Sequence, residues 1–569
     1  MSALTEMVRG GEVDFVTGDY LAEVTMMVLA KQRTKNPALG FAASLLPQIE
    51  PVLAELLERK IRVVVNAGGL NPQGLAMALL MTAQKLGLSP KVAMVLGDDL
   101  RERLLTLAKD NDDFRSLESG APLSQGAVIT ANAYLGAFGI TRALDAGADI
   151  VICPRVTDAS LLVGCAAHWH GWSSNEYDAL AGAVAAGHVI ECGPQATGGN
   201  YSGFRALDLG DRPAFPLAIV EQDGSAVITK HAGQPGRVTV GTVTAQLVYE
   251  IASPRYANPD VVAHLDTLSL TEIAVDQVRL SGCKGSPPPK TTKVAITTRG
   301  VFRNEMLFAF VGLDIDEKIA WFERSVRTAF VGKPVTLTFQ SIGSAASDAK
   351  AQDAATVLLR VVAESEHEAL VSRGFSAALI ELGLSSYPGL FALGLPGPAS
   401  EATGYWPTLV RQVDVEHRVV LPDGSEVAIP PPPRMEDSQG AAGSLLALPD
   451  APIAPARGET RRSPLGALVS ARSGDKGSDA NVGVWVERDD AYAWMVHALD
   501  IDAFYTILPE ARGLVVERYE LPNLRALNFV VRGLLAGGAI ACARVDRQAK
   551  ALGEFLRARH FDVPVSLLP

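Results

Sequence analysis

Short strands rich in β-branched residues alternate with helical segments over the first two hundred residues of the chain. The predicted strands, most of them followed by a helical stretch, cover residues 13–17, 61–65, 91–95, 127–130 and 149–153. This alternation predicts an α/β fold with a mostly parallel, Rossmann-like sheet and helices on both faces of the sheet. We assign this predicted domain to residues 1–215.

Small or polar residues follow these predicted strands. They are Asn66, Gly68, Gly69, Asn71, Asp98, Asn132, Arg155 and Asp158. Glycines at such points allow the backbone to approach a ligand closely. Because the carboxyl ends of parallel strands open into one crevice, we expect a single ligand site there.

The stretch from residue 147 to residue 204 carries the densest group of such residues. Its first half places four polar side chains between a buried strand and a helix: Arg155, Thr157, Asp158 and Ser160. One interpretation is that Thr157 or Asp158 caps the helix predicted to begin at Ala159. Arg155 has no capping role, and its guanidinium suits a ligand carboxylate or phosphate. The second half adds Thr197, Gly198, Gly199 and Asn200 to the same predicted crevice.

The remainder of the chain has a different pattern. Residues 216–427, with a predicted strand at 238–244, indicate an α+β continuation of the large domain. A run rich in Pro, Ala and Gly predicts a linker at 428–464. Residues 465–569 are predicted to form a small ferredoxin-like α/β domain, with a strand at 465–470 and a charged loop at 471–481. The charges of this loop either bind an anion, dock on the large domain or are simply solvated; they include Arg472, Asp475 and Lys476.

The composition argues against several classes of function. The net charge is −12 and the basic residues form no cluster, which argues against nucleic-acid binding. No apolar run is long enough to cross a bilayer and no signal-peptide core is found near the start, so we expect a cytoplasmic protein. The five cysteines and nine histidines lack metal-ligand spacing, and structural roles are expected for them. Without a dinucleotide fingerprint, we expect no cofactor except coenzyme A carried by the substrate.

Several motifs extend over nearly the whole chain, at residues 18–23, 66–72, 130–137, 155–161, 191–193, 196–200, 240–243, 285–289 and 472–477. Through them the sequence resembles the AtuA-like family, named for acyclic terpene utilisation, together with the C-terminal ferredoxin-fold domain of that family. The resemblance implies a role in the breakdown of terpenoid and branched acyl-coenzyme A compounds. Two departures are visible: relatives begin with an earlier strand and a glycine-rich turn, and they have glycine where this chain has Pro154.

Together these features predict an enzyme that acts on a branched, carboxylated acyl-coenzyme A by hydratase, dehydratase or lyase chemistry. Asp158 is the expected base, and Arg155 is the expected clamp for a carboxylate. Oxyanion donors are expected at Asn66, Asn132 and Asn200. The other residues expected to bind substrate are Gly68, Gly69, Asn71, Thr157, Ser160, Thr197, Gly198, Gly199, Arg472, Asp475 and Lys476.

Two alternatives stay open at this point. The chain could be a non-catalytic partner or substrate-delivery subunit of a biotin-dependent acyl-coenzyme A carboxylase. It could also be an acyl-coenzyme A hydrolase, although the chain has no G-x-S-x-G motif. In each case we expect a homo-oligomer that binds neither nucleic acid nor membrane.

Overall fold

The computed structural model describes residues 3–123, 128–437 and 458–568. The chain divides into two compact units: the first comprises Met1–Ile296, Trp406–Ala539 and Gln548–Pro569, and the second comprises Thr297–Tyr405 and Ile540–Arg547. The main part of the second unit is therefore inserted into the sequence of the first. The domain boundaries predicted from the sequence remain a prediction, and residues 438–457 of the predicted linker lie outside the described residues.

A six-stranded sheet in the first unit combines parallel and antiparallel pairs. Its strand order is Phe15–Gly18, Arg62–Val65, Ile150–Ile152, Val92–Leu96, Arg418–Val420 and Glu426–Ala428. The first four strands pair in parallel, and the last two join through antiparallel pairs. Four of the five strands predicted in the first domain therefore lie side by side.

Helices pack against both faces of the parallel strands. Val63 and Val65 belong to one apolar core, which includes residues of helices Leu45–Ile49, Leu53–Glu58 and Pro72–Lys85. Val64 belongs to another core, with residues of helices Phe138–Asp145 and Ser160–His170. Successive side chains of a strand point to opposite faces, so this run of valines is buried from both sides.

The wider prediction of a mostly parallel, Rossmann-like fold is not confirmed, because most sheets of the chain are antiparallel. The architecture is a mixed α/β fold with several sheets. The strand predicted at 127–130 corresponds to Val128–Ala133, which lies in a separate sheet with Thr291–Thr298 and Gly404–Arg411. A further sheet of the first unit has four strands in the order Ser269–Ala274, Gln277–Ser281, Ala226–Lys230 and Pro216–Val220. Another has three strands in the order Lys284–Ser286, Val262–His264 and Arg255–Ala257.

The strand predicted at 238–244 is wrong, because Val240–Leu247 is a helix. Thr239 and Thr242 form a capping box at its start, and this local hydrogen bonding favours the helix over β-branched strand propensity. The remaining α-helices of eight or more residues in the described part of the first unit are Glu23–Lys35, Tyr177–Ile190 and Asp489–Ala498. Shorter ones are Ala3–Arg9, Leu104–Leu107, Ile501–Ile507 and Leu552–Ala558.

The C-terminal part forms a four-stranded antiparallel sheet in the order Ser470–Lys476, Asp479–Trp485, Ala526–Val531 and Val516–Leu521. Thr460–Pro464 and His560–Pro564 form a separate pair. The loop predicted at 471–481 is wrong, since this segment is a hairpin that turns at Gly477, where φ is +69°. The strand predicted at 465–470 is also wrong, because Leu465–Ala467 is a single 3-10 turn.

The C-terminal sheet shares a core with the helices of the large domain. Trp485 and Leu521 belong to the same apolar cluster as Leu180 of helix Tyr177–Ile190. Gly483 allows this approach, since a Cβ atom there would lie 2.4 Å from a methyl group of Val248. The two parts are therefore packed as one body within the first unit.

The second unit has its own sheet and its own core. Its strands are Thr336–Ile342, Thr356–Ser365, Phe302–Val311, Leu390–Ala392 and the short Ser400–Glu401. Helices Ile315–Ala329 and Arg373–Leu384 bury Phe322 and Phe375 against Phe308 and Phe310. Among the described residues of both units, no helix has the length and apolarity needed to cross a membrane.

Candidate functional site

Four polar residues follow the four parallel strands and meet at one edge of the sheet. Asp19 follows Phe15–Gly18, Asn66 follows Arg62–Val65, and Asp98 and Arg155 stand two and three residues after their strands. This placement matches the crevice expected at the carboxyl ends of parallel strands.

Asp19 is the most unusual acid of this crevice. Asn66 is buried and donates from Nδ2 to Asp19 Oδ1 at 2.5 Å, while its own Oδ1 accepts from the Tyr20 amide at 2.6 Å. Asp19 is exposed to solvent on one side, but many protein atoms surround its carboxyl group. This partial desolvation and the charge of Asp158 raise the pKa of Asp19 to about 8, although Arg155 and Asn66 act in the opposite direction. An acid with this pKa exchanges a proton readily near neutral pH.

Arg155 is a buried cation with fixed contacts. It is only 4% exposed, and its guanidinium lies 4.2 Å from the ring centre of Tyr134. Its Nη1 donates to Asp158 Oδ1 at 2.5 Å and to the Leu21 carbonyl at 3.2 Å. Burial alone would lower the pKa of Arg155, but Asp158, Tyr134 and the nearby carboxylates raise it well above its ordinary value.

The capping interpretation of Thr157 and Asp158 is wrong. The helix is capped at Ala159, and no side chain provides the capping hydrogen bond. Asp158 is instead paired with Arg155, and the Thr157 hydroxyl is bonded to that of Ser160. The ion pair thus fixes the Asp158 carboxylate and the Arg155 guanidinium side by side in the loop that follows strand Ile150–Ile152.

Asp98 and Asn132 form a buried pair beneath Arg155. Asp98 Oδ2 accepts from Asn132 Nδ2 at 2.7 Å and from the Arg155 amide at 3.2 Å. Burial raises the pKa of Asp98 to about 7, although the Asn132 hydrogen bond acts in the opposite direction. Asn132 therefore fixes the Asp98 carboxyl group, which in turn holds the backbone of the Arg155 loop.

Further charges come from other parts of the first unit. Glu23 lies 3.9 Å from Lys293 and accepts a hydrogen bond from the Tyr134 hydroxyl at 3.3 Å. Burial raises the pKa of Glu23, but Lys293 and Arg155, with a contribution from Lys476, lower it to about 2. This part of the crevice thus combines an ionised carboxylate with three cations.

The C-terminal hairpin reaches the same crevice. The Lys476 ammonium lies 5.4 Å from the ring centre of Tyr256. Burial, together with the charges of Glu191 and Asp158, raises the pKa of the Tyr256 hydroxyl well above its ordinary value. Lys476 therefore contacts a tyrosine that interacts with Asp158.

Arg472 holds the hairpin against the large domain directly, and Asp475 does so through Lys550, which lies 2.8 Å from Glu250 of the large domain. The Arg472 guanidinium lies 4.3 Å from the Tyr249 ring centre, and its Nη1 donates to the Asn200 carbonyl at 3.4 Å. Asp475 pairs with Lys550 at 3.2 Å, and burial raises the pKa of Asp475 to about 6. These contacts favour the docking interpretation of the charged segment over a solvated loop.

Other residues predicted to bind substrate make structural contacts. Asn71 is the N-cap of helix Pro72–Lys85 and accepts from the Gly74 amide at 2.9 Å. A Cβ atom at Gly68 would lie 2.6 Å from the Cys153 carbonyl, and Gly69 has a φ of +53°. These contacts account for Gly68, Gly69 and Asn71 in the loop between strand Arg62–Val65 and helix Pro72–Lys85 without a bound ligand.

The loop that contains residues 197–200 is shaped by internal contacts as well. The Thr197 hydroxyl is buried and donates to the Pro194 carbonyl at 2.9 Å. Gly198 has a φ of +114° and packs on Leu209, and Gly199 lies against Pro194. Asn200 is exposed and contacts Arg472 through its backbone carbonyl.

Sequence reasoning missed Asp19, Glu23, Lys293 and Tyr256 as site residues. The rule that selected Asn66 would also have selected Asp19, which directly follows its own strand. Lys293 and Tyr256 lie far along the chain, and no local pattern connects them to the crevice. Within the described ranges, no group of three or more His, Cys, Asp and Glu side chains is arranged to bind a metal ion.

Comparison with known proteins gives two matches. A family model described as acyclic terpene utilisation family protein AtuA matches residues 1–421. A second model, the AtuA ferredoxin-like domain, matches residues 463–562. No curated protein and no solved structure matches the chain.

Proposed function

The chain belongs to the acyclic terpene utilisation AtuA family, and we propose that it is an acid–base enzyme acting on a carboxylated acyl-coenzyme A by hydratase, dehydratase or lyase chemistry. The observation that carries this proposal is that the Asp19 carboxyl, which Asn66 holds by a hydrogen bond, and the fixed Arg155–Asp158 pair follow parallel strands at the same edge of the sheet. The raised pKa of Asp19, about 8, supports it. Family membership indicates a role in acyclic terpene utilisation and leaves the reaction open.

Two carboxyl groups in different environments suit a proton donor and a proton acceptor. Asp19 is protonated at neutral pH and would give its proton to the reacting carbon or to the leaving oxygen. Asp158 is held by Arg155 at 2.5 Å and would accept the proton of the attacking water or of the substrate. In the reverse direction the two residues exchange these roles.

The cations around the crevice favour an anionic substrate. Arg155, Lys293 and Lys476 come from three separate segments and act on the same acid, Glu23. These cations would attract a carboxylate of the substrate and would stabilise the negative charge of a thioester enolate. The preference for an acyl-coenzyme A, rather than another carboxylated compound, rests on the resemblance noted from the sequence.

The test compares Asp19→Asn with Asp14→Asn, which removes a carboxylate near the opposite end of the same strand. With a panel of branched and carboxylated acyl-coenzyme A compounds, we expect Asp19→Asn to lower turnover by at least about 100-fold, the usual contribution of a general acid. Asp14→Asn should leave turnover unchanged. Wild-type turnover should fall as the pH rises through about 8, because Asp19 then loses its proton. Full turnover by Asp19→Asn would refute the assignment.

The carboxylase-partner alternative predicts a different result. In that case the purified protein would turn over no acyl-coenzyme A, and no acyl-coenzyme A would raise the melting temperature of the protein. The protein would instead co-elute with a carboxylase subunit. A hydrolase would instead release free coenzyme A from its substrate, which a thiol reagent detects.

A further inference from the structure

His188 and Glu191 form a buried pair at the end of helix Tyr177–Ile190. His188 Nδ1 lies 3.1 Å from Glu191 Oε1, and His188 Nε2 lies 3.0 Å from the Tyr249 carbonyl oxygen. His188 is 1% exposed and the Glu191 side chain is 9% exposed. Such a pair in a protein interior must satisfy its hydrogen bonds internally.

The directions of the two hydrogen bonds fix the number of protons in the pair. A carbonyl oxygen only accepts, so His188 Nε2 must carry a hydrogen. A neutral imidazole then has no hydrogen on Nδ1, and an ionised carboxylate has none to donate. The contact between Nδ1 and Oε1 therefore requires one more proton, on the ring or on the carboxyl group.

The second oxygen of Glu191 adds an independent observation. Glu191 Oε2 is buried and has no hydrogen-bond partner among the described residues. Burial raises the pKa of Glu191, His188 opposes this effect, and the charges of Asp158 and Glu250 raise the pKa further. An additional negative charge at Glu191 is thus unfavourable, which favours retention of the shared proton.

We propose that His188 and Glu191 share one proton and act as the proton store of the Asp19–Asp158 site. This inference rests on the proposed acid–base function. After turnover, the shared proton would pass to the Asp19 carboxylate, which has given up its own proton. The proton that Asp158 has accepted would then replace it in the pair, so that all of these groups return to their starting state. The titratable groups that interact electrostatically with Glu191 are His188, Asp158, Glu250, Asp19, Cys192 and Tyr256.

The shared proton can be detected without turnover. The full-length protein with 15N-labelled histidine would be examined by NMR at pH 7, with the His188 signals assigned from His188→Gln. Infrared spectroscopy of the same sample would detect a protonated carboxyl group, assigned by its loss in Glu191→Gln. We expect either a ring with both nitrogens protonated or a Glu191 carboxyl band.

The matched control is Asp178→Asn, near the other end of the same helix, where the carboxylate pairs with exposed Lys284. It should change neither signal. A His188 ring with a single proton, combined with no carboxyl band lost in Glu191→Gln, would overturn the inference. This result would be independent of whether any acyl-coenzyme A is turned over, so failure of the proposed function is distinguished from failure of the proton store.

Discussion

Replacement of Asp98 by Asn provides a quantitative test of the electrostatics beneath the crevice. Asp98 is 5% exposed, and its Oδ2 accepts hydrogen bonds from Asn132 and from the Arg155 amide. An asparagine has nearly the same shape, and its carbonyl oxygen can accept the same bonds. The substitution therefore removes the ionisation and retains the packing.

The magnitude follows from the pKa of Asp98, which rises from 3.8 to about 7 on burial. Between these values the unfolded chain is ionised while the folded protein stays protonated, so stability falls as the pH rises. At roughly 1.4 kcal/mol per unit, the loss accumulates to about 4 kcal/mol by pH 7 and is constant above it. Asp98→Asn does not undergo this loss.

The assay is urea unfolding of the wild type and of Asp98→Asn at pH 5 and pH 8, followed by the fluorescence of buried tryptophans such as Trp172. We expect the stability of the variant relative to the wild type to increase between the two pH values by a few kcal/mol. A difference between the two proteins that is the same at both pH values would show that Asp98 titrates normally in the folded state.

Three further substitutions test other contacts. Gly474→Ala should destabilise the docked hairpin by about 1–3 kcal/mol, because its Cβ atom would lie 2.5 Å from the Tyr249 ring; an unchanged melting temperature would contradict this. Asn71→Ala should cost about 1 kcal/mol through loss of the cap of helix Pro72–Lys85, measured by thermal unfolding, with substrate affinity unchanged. Lys476→Gln should raise KM for an anionic substrate more than for a neutral analogue, and an equal effect on both would remove Lys476 from the binding site.

The parallel strands and their polar ends could be predicted because the signals are local. A run such as Val63 to Val65, followed by Asn66, identifies both a buried strand and a residue at its carboxyl end. The same reasoning placed Arg155 in the crevice. It did not reveal that Asp158 is the partner of Arg155, since an aspartate just before a predicted helix suits a helix cap and an ion pair equally well.

The remaining features depend on contacts between distant segments. Lys293 lies 3.9 Å from Glu23 across 270 positions of sequence, and no periodicity encodes such a contact. Residues 471–481 are predicted as a loop because they carry four charges and two glycines between apolar segments, whereas the structure forms a hairpin there. Arg472 contacts Asn200 of the large domain, and Asp475 pairs with Lys550, which itself pairs with Glu250 of the large domain. Tertiary partners decided the structure there, not local propensity.

The packing of the C-terminal sheet on Val248, which directly follows helix Val240–Leu247, has a consequence for biosynthesis. Val248 emerges from the ribosome about 235 residues before Gly483, the residue that packs against it. At roughly 5–20 residues per second, this surface of the large domain stays uncovered for about twelve to fifty seconds. A chain released early, before the last hundred residues, would leave it uncovered, so quality control by chaperones should act most strongly on such incomplete products.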